Sequence, residues 1–145
     1  MSYHTELARV MLARLSRAAV VVGTGCYVAS MVLPAFTDGV QVTTGIEAFV
    51  LALVGAAPFA WLANPLFLVG LVLWRRYRVP EAGALFSGLA FACAAIGVAA
   101  FLSTDQGRFQ TPTVGVYAWM LSFALVAVGM AGLWLGRPNR PTPDQ

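Results

Sequence analysis

Residues 57–78 read APFAWLANPLFLVGLVLWRRYR, an apolar run with an Asn-Pro pair, Asn64 and Pro65, near its middle and a further proline, Pro58, close to its start. The uncharged stretch that contains it, Ala48 to Trp74, has 27 residues. As one straight helix it would measure about 40 Å, some 10 Å more than the roughly 30 Å of bilayer hydrocarbon, so it must tilt, kink or break. Pro65 cannot donate to the carbonyl of Trp61, and Asn64 is biased away from helical dihedrals by the proline after it. Asn at an N-cap followed by Pro at the first helical position is also helix-start chemistry. The sequence therefore predicts an outer half-helix over 46–57, a bend from Pro58 to Asn64, and an inner half-helix from Pro65 to Tyr77. Asn64 is expected to satisfy backbone groups that Pro65 leaves unpaired near mid-bilayer, where irregular backbone survives only inside protein or along a cavity. Such a helix start also offers a weak anion or dipole site of the kind broken helices form in transporters; a packed structural kink is the simpler reading.

Working outward, the whole chain has membrane composition. Of its 145 residues, 59% are hydrophobic and 10% charged, and the mean hydropathy is +0.77; soluble domains carry about 25% charged residues. Charge-free stretches run over 18–37, 48–74, 82–104 and 109–136, each long enough to cross a bilayer. The expected fold is an all-α integral membrane protein: a four-transmembrane-helix bundle with helices at 18–36, 46–77, 82–103 and 112–136, forming a single domain over 1–136. Residues 3–17 place Leu7, Val10, Met11 and Leu15 at helical spacing, which predicts an N-terminal amphipathic interfacial helix. The proline-rich residues 137–145 read as a disordered cytoplasmic tail.

All nine basic residues are Arg, a hint of a GC-rich bacterial genome, and eight of them lie before helix 1, between helices 2 and 3, or after helix 4. Only Arg108 falls on the other side. The positive-inside rule then places the protein in a bacterial inner (cytoplasmic) membrane as a multi-pass chain with cytoplasmic N- and C-termini. The net charge of +3 is a topology signal, with no nucleic acid implied. Helix 1 imitates a signal peptide, but its apolar stretch exceeds the usual length and it lacks a convincing small-residue cleavage site; retention is expected.

Small residues dominate the third run, with Gly83 and Ser87, Gly88 and Ala92, and Gly97 spaced for close helix approach. Gly132 and Gly136 have GxxxG spacing near the end of the fourth, a weak dimer-seam signal. The two external loops are too short for a folded domain.

Chemistry-bearing groups are sparse. Cys26 and Cys93 form no Cys-x-x-Cys pair, His4 is the single histidine and precedes the spans, and no acidic residue falls inside an apolar run. This excludes thiol oxidoreductase, bis-histidine haem and intramembrane-carboxylate exporter chemistry of the small multidrug resistance type. Small fluoride channels share four helices and a membrane Asn, but the Arg bias here implies one orientation. The hydroxyls of Thr24, Ser30, Ser87, Tyr117 and Ser122 have no base to activate them. No catalytic residue, metal site or cofactor is expected.

The motifs LPAF (33–36), GIEAF (45–49), WLANP (61–65) and GVYAWMLSF (115–123) resemble those of a group of small, uncharacterised four-helix bacterial membrane proteins. The resemblance implies the bundle and carries no activity with it. All four motifs share the outer half of the expected bundle, so Pro34, Glu47, Trp61, Asn64, Tyr117 and Trp119 read as surrounding one outward-facing pocket, or as a structural polar and aromatic cluster. The functional expectation is a non-enzymatic accessory, partner-binding or immunity-type protein within the bilayer, whose partners are the lipid bilayer and a membrane protein or further copies of itself. The alternative is an oligomeric small-solute or ion pathway using the broken helix 2.

Overall fold

A computed structural model describes residues 3–137. The described chain contains five α-helices: α1 (Tyr3–Ser30), α2 (Gly45–Leu51), α3 (Pro58–Tyr77), α4 (Pro80–Leu102) and α5 (Val114–Leu135). A π-helical turn, Ala52–Ala56, extends α2. Three short strands complete it, β1 (Pro34–Thr37), β2 (Val42–Thr44) and β3 (Thr111–Pro112), in the antiparallel order β2-β1-β3. Three of the helices, α3, α4 and α5, are long and apolar enough to cross a membrane.

Several expectations need correcting. Residues 31–36 do not prolong the first helix: its last turn closes at Ser30 and the chain becomes β1, because Pro34 cannot continue a helical ladder. The amphipathic segment and the first apolar run form one uninterrupted helix, α1, in place of an interfacial helix followed by a span. The second run is interrupted at Ala57, whose φ of −154° and ψ of 75° leave the helical region, and α3 then continues without interruption through Asn64 and Pro65. The break therefore lies at the outer edge of the bend expected over 58–64, seven residues before Asn64, and the helix has no interruption at the Asn64-Pro65 pair. The physical reason is local. Pro58 occupies a first-turn position of α3, where its missing N–H would have no helical partner in any case. Pro65 removes only one interior bond, and the carbonyl it orphans is met by a side chain. Of the expected tail, Arg137 belongs to the described structure and the rest lies outside the described residues.

The helices pack α1 on α5, α5 on α4, and α4 on α3. Glycine and alanine make these approaches close: a Cβ on Gly129 would press on the Ser16 carbonyl, and one on Gly97 would strike the backbone of Ala60. In α4 the buried residues Gly83, Ser87, Ala90, Ala94 and Gly97 form a single stripe, whereas Gly88 faces open space. Gly132 lies against Ser16 and Leu12 of α1, so the GxxxG pair is an intrachain contact. Between α1 and α3 side chains make the join. Tyr27, Phe67, Phe123 and Trp119 stack in a chain of tilted and edge-on rings with centroids 4.8–6.1 Å apart. Below them Val126 and Met130 are fully buried. Away from the Arg-bearing ends of α1 and α3 the outer flanks are largely apolar, Leu68, Ile96 and Val128 among them being exposed, as lipid-facing surfaces are.

The two ends of the helical body differ in chemistry. At one end Arg75, Arg76, Arg78 and Arg137 gather: Arg78 ends α3 in the left-handed region with φ 57°, and Arg137 donates to the Arg78 carbonyl and to Glu81 Oε2. A cation on the last carbonyls of α3 is favourable for the helix dipole. At the other end lies the small sheet.

Candidate functional site

The sheet end is assembled by backbone contacts that only glycine admits. Gly45 opens α2 directly against the Ser30 carbonyl, and Gly115 opens α5 against the Pro34 carbonyl. The Ile46 N–H donates to Met31 O at 2.8 Å and the Thr113 N–H to Ala35 O at 2.8 Å, tying α2 and α5 to the segment that leaves α1. Between β1 and β2 the Asp38 carboxylate accepts from the Gln41 and Val40 N–H groups at 2.7 and 2.9 Å, and Gly39 supplies the positive φ of 90° that the turn requires. These amides hold the Asp38 carboxyl below its ordinary value, Gln41 foremost. At the start of α2, Glu47 accepts from the Thr44 N–H and hydroxyl, and the same two bonds lower its carboxyl.

Beneath the sheet is a cavity of about 260 Å³. Its helical walls come from one end of every long helix: Ser30 from α1, Ala60 and Asn64 from α3, Gly97, Val98 and Phe101 from α4, and Val116 and Trp119 from α5. Ala48, Ala52 and their neighbours in α2 and the π-helical turn form the remaining side, with Thr43, Gln106 and Gln110 towards the strands and loop.

Asn64 forms the polar part of the floor. It is 4% exposed, and its hydrogen-bonding capacity is fully used. Tyr27 Oη and Trp119 Nε1 both donate to Asn64 Oδ1 at 3.0 Å. Asn64 Nδ2 donates to the carbonyls of Trp61 at 3.3 Å and Ala60 at 3.4 Å. The Trp61 carbonyl is the acceptor that Pro65 cannot serve, so the residue before the proline covers the bond that the proline removes. One amide thereby links α1, α3 and α5.

Of the six residues expected around a pocket, Asn64 and Trp119 meet at this floor. Pro34 lies in β1 above it and offers its carbonyl to the Thr113 hydroxyl. Glu47 is exposed at the start of α2, Tyr117 is 62% exposed on the outer flank, and the Trp61 indole N–H is buried without a hydrogen-bond partner among the described residues. None of those four lines the cavity. Tyr27, which completes the floor network, carries no local signal beyond an aromatic residue in an apolar helix. The T-x-x-E spacing of Thr44 and Glu47 is a legible helix-start signature. Among the described residues no group of His, Cys, Asp and Glu is placed to hold a metal ion. Comparison with protein-family models, with curated proteins and with solved structures finds no match for this chain.

Proposed function

We propose that this chain is an integral membrane protein of four spans in a bacterial inner membrane, with both termini cytoplasmic, and that it works without catalysis as an accessory, partner-binding or immunity-type protein. The fourth span is α1, whose charge-free part lies along α5 while Arg9, Arg14 and Arg17 stay at the cytoplasmic face. The cluster of Arg75, Arg76, Arg78 and Arg137 at the end opposite the sheet supports that orientation.

The observation that carries the functional reading is the closed hydrogen-bond network of Asn64. The one amide within α3 is engaged by Tyr27, Trp119 and the backbone of its own helix, which makes it a structural joint. Recognition is left to apolar helix flanks, such as Leu68, Ile96 and Val128, and to the cavity. The alternative, a solute or ion pathway, is favoured by the reach of the cavity down to Asn64. It is opposed by Phe67, Phe123 and Met130, fully buried beneath that floor, so a pathway would have to run between copies.

Photo-crosslinking residues introduced at Leu68, Ile96 and Val128 in native membranes test the reading, together with flux measured on the purified protein in proteoliposomes. The expected result is one discrete crosslinked species from one flank and no flux. Dose-dependent flux from the pure protein, with no crosslinked partner from any flank, would overturn it.

A further inference from the structure

The cavity under the sheet has an ordered chemistry. Its floor has nothing to offer a polar ligand. Asn64 makes two donated and two accepted bonds, the Trp119 N–H is given to Asn64, and the Ser30 hydroxyl donates to the Tyr27 carbonyl at 2.7 Å. The walls above the floor are mostly Ala, Val, Gly and Phe, with Met31 and Leu51, and Thr43 at the strand side. At the mouth the situation reverses: Gln106, which is exposed, and Gln110, which is half-buried, are among the lining residues, and their side-chain amides have no hydrogen-bond partner among the described residues. An occupant that matches this order is apolar at its inner end and hydrogen-bonding at its outer end.

Size and access narrow the class. Apolar cavities of about 150 Å³ admit benzene and stay dry, so this one accommodates a group on the order of ten carbon atoms. The side formed by α2 and the π-helical turn is one helix thick; α2 buries none of its own residues, and the two together expose Ile46, Val50, Leu53 and Val54. That wall borders an apolar surrounding, in which lipid chains are the abundant ligand. The helix interruption at Ala57 lies at the end of the same wall.

We infer that the cavity is a binding site for the acyl chain of a membrane lipid, with the chain end resting on the Asn64–Trp119 floor and the polar head at Gln106 and Gln110. The inference rests on the membrane placement proposed above and adds a ligand class to it. Its test is arranged so that orientation does not decide the result. The full chain is reconstituted into vesicles of phosphatidylethanolamine and phosphatidylglycerol doped, in both leaflets, with a phosphatidylcholine carrying a diazirine at the end of one chain. After irradiation, adducts are located by peptide mass spectrometry.

The expected result is adducts on the Ala60–Asn64 segment and at Trp119 in addition to the outer flanks. In the cavity-filling variants Ala48→Phe and Val98→Phe, the cavity adducts fall severalfold while those at Leu68 and Val128 persist. A lipid with its diazirine next to the head group should shift the wild-type adducts to Gln106 and Gln110, which keeps the test decisive if a filled variant fails to fold. Adducts confined to the outer flanks, or cavity adducts unchanged by both fillings, overturn the inference. So does a crosslink to a polypeptide, whether a partner or a second copy, from a photo-reactive residue placed at Val98 in native membranes. Orientation is read separately by cysteine labelling, so an inverted chain with a filled cavity is distinguishable from an empty one.

Discussion

Asn64 shows how one residue reconciles a proline with a continuous helix. Pro65 deletes a bond to Trp61, and the neighbouring amide restores a partner to that carbonyl while its oxygen collects donors from α1 and α5. Replacing Asn64 by Leu strands the Tyr27 hydroxyl, the Trp119 N–H and the Trp61 carbonyl together. At roughly 1–3 kcal/mol for each buried unpaired group, discounted for partial exposure, we expect a loss of about 2–4 kcal/mol. Thermal or denaturant unfolding in detergent measures it. In the Asn64→Leu background Tyr27→Phe should cost less than in the wild type, and equal costs in both would show that the bond contributes nothing. That Asn64 mattered was legible, because an amide in an apolar run must find partners. The position of the break was not. Both Ala57-Pro58 and Asn64-Pro65 carry the same bias against helix, and the choice between them depends on Asn64 reaching the Trp61 carbonyl, a contact that spacing alone does not reveal.

Among the elements, α4 gives the cleanest contrast. Its glycines look equivalent in sequence, yet a Cβ on Gly97 would collide with the Ala60 backbone, whereas one on Gly88 meets nothing within 4 Å. Gly97→Ala should therefore destabilise by about 1–3 kcal/mol through overpacking, and Gly88→Ala should be neutral or stabilising by up to about 1 kcal/mol from helix propensity. Unfolding of the two variants side by side checks this; equal effects would contradict the packing of α4 on α3. The β1–β2 turn and the start of α2 carry a pH dependence. Asp38 and Glu47 have lowered folded-state values because backbone and hydroxyl donors favour their carboxylates. Their contribution is present above the ordinary carboxylate value, about 4, and is lost as pH falls through the lower folded value. Amide exchange at Val40, Gln41 and Thr44, corrected for intrinsic rates, should accelerate only in that acidic window, and Asp38→Asn with Glu47→Gln should remove the step. A step that persists in the double variant would assign it to another group. The sheet itself was only partly legible: VQVTTGIE at 40–47 alternates briefly, as a short extended segment does, but the pairing of β1 with β3 joins segments some 75 residues apart, which local pattern does not encode.

On the scale of the whole molecule, composition pointed to a membrane protein, and three helices long and apolar enough to cross a membrane, with exposed apolar flanks, fit that coarse reading. The site was less accessible to sequence reasoning. Four outer motifs were expected to converge on one pocket, and they do converge on one end of the molecule, but the cavity takes only Asn64 and Trp119 from the expected set. Much of the remaining wall comes from the same motifs, Ala35 and Phe36 of LPAF, Gly45, Ala48 and Phe49 of GIEAF, and Gly115 and Val116 of GVYAWMLSF, apolar positions that a choice of polar residues, Trp and Tyr passes over. In the proposed topology the chain crosses the membrane four times with the sheet end outside and both termini inside. That topology is tested most directly by cysteine accessibility in a Cys26→Ala, Cys93→Ala background. Val40→Cys and Asp105→Cys are suitable outer reporters because both side chains are exposed, whereas Gly39 has a positive φ and Gly107 abuts the Phe101 carbonyl. In intact cells a membrane-impermeant maleimide should label Val40→Cys and Asp105→Cys, and should label Gln145→Cys only after permeabilisation. Labelling of Gln145→Cys in intact cells, or protection of either outer reporter, would contradict the account.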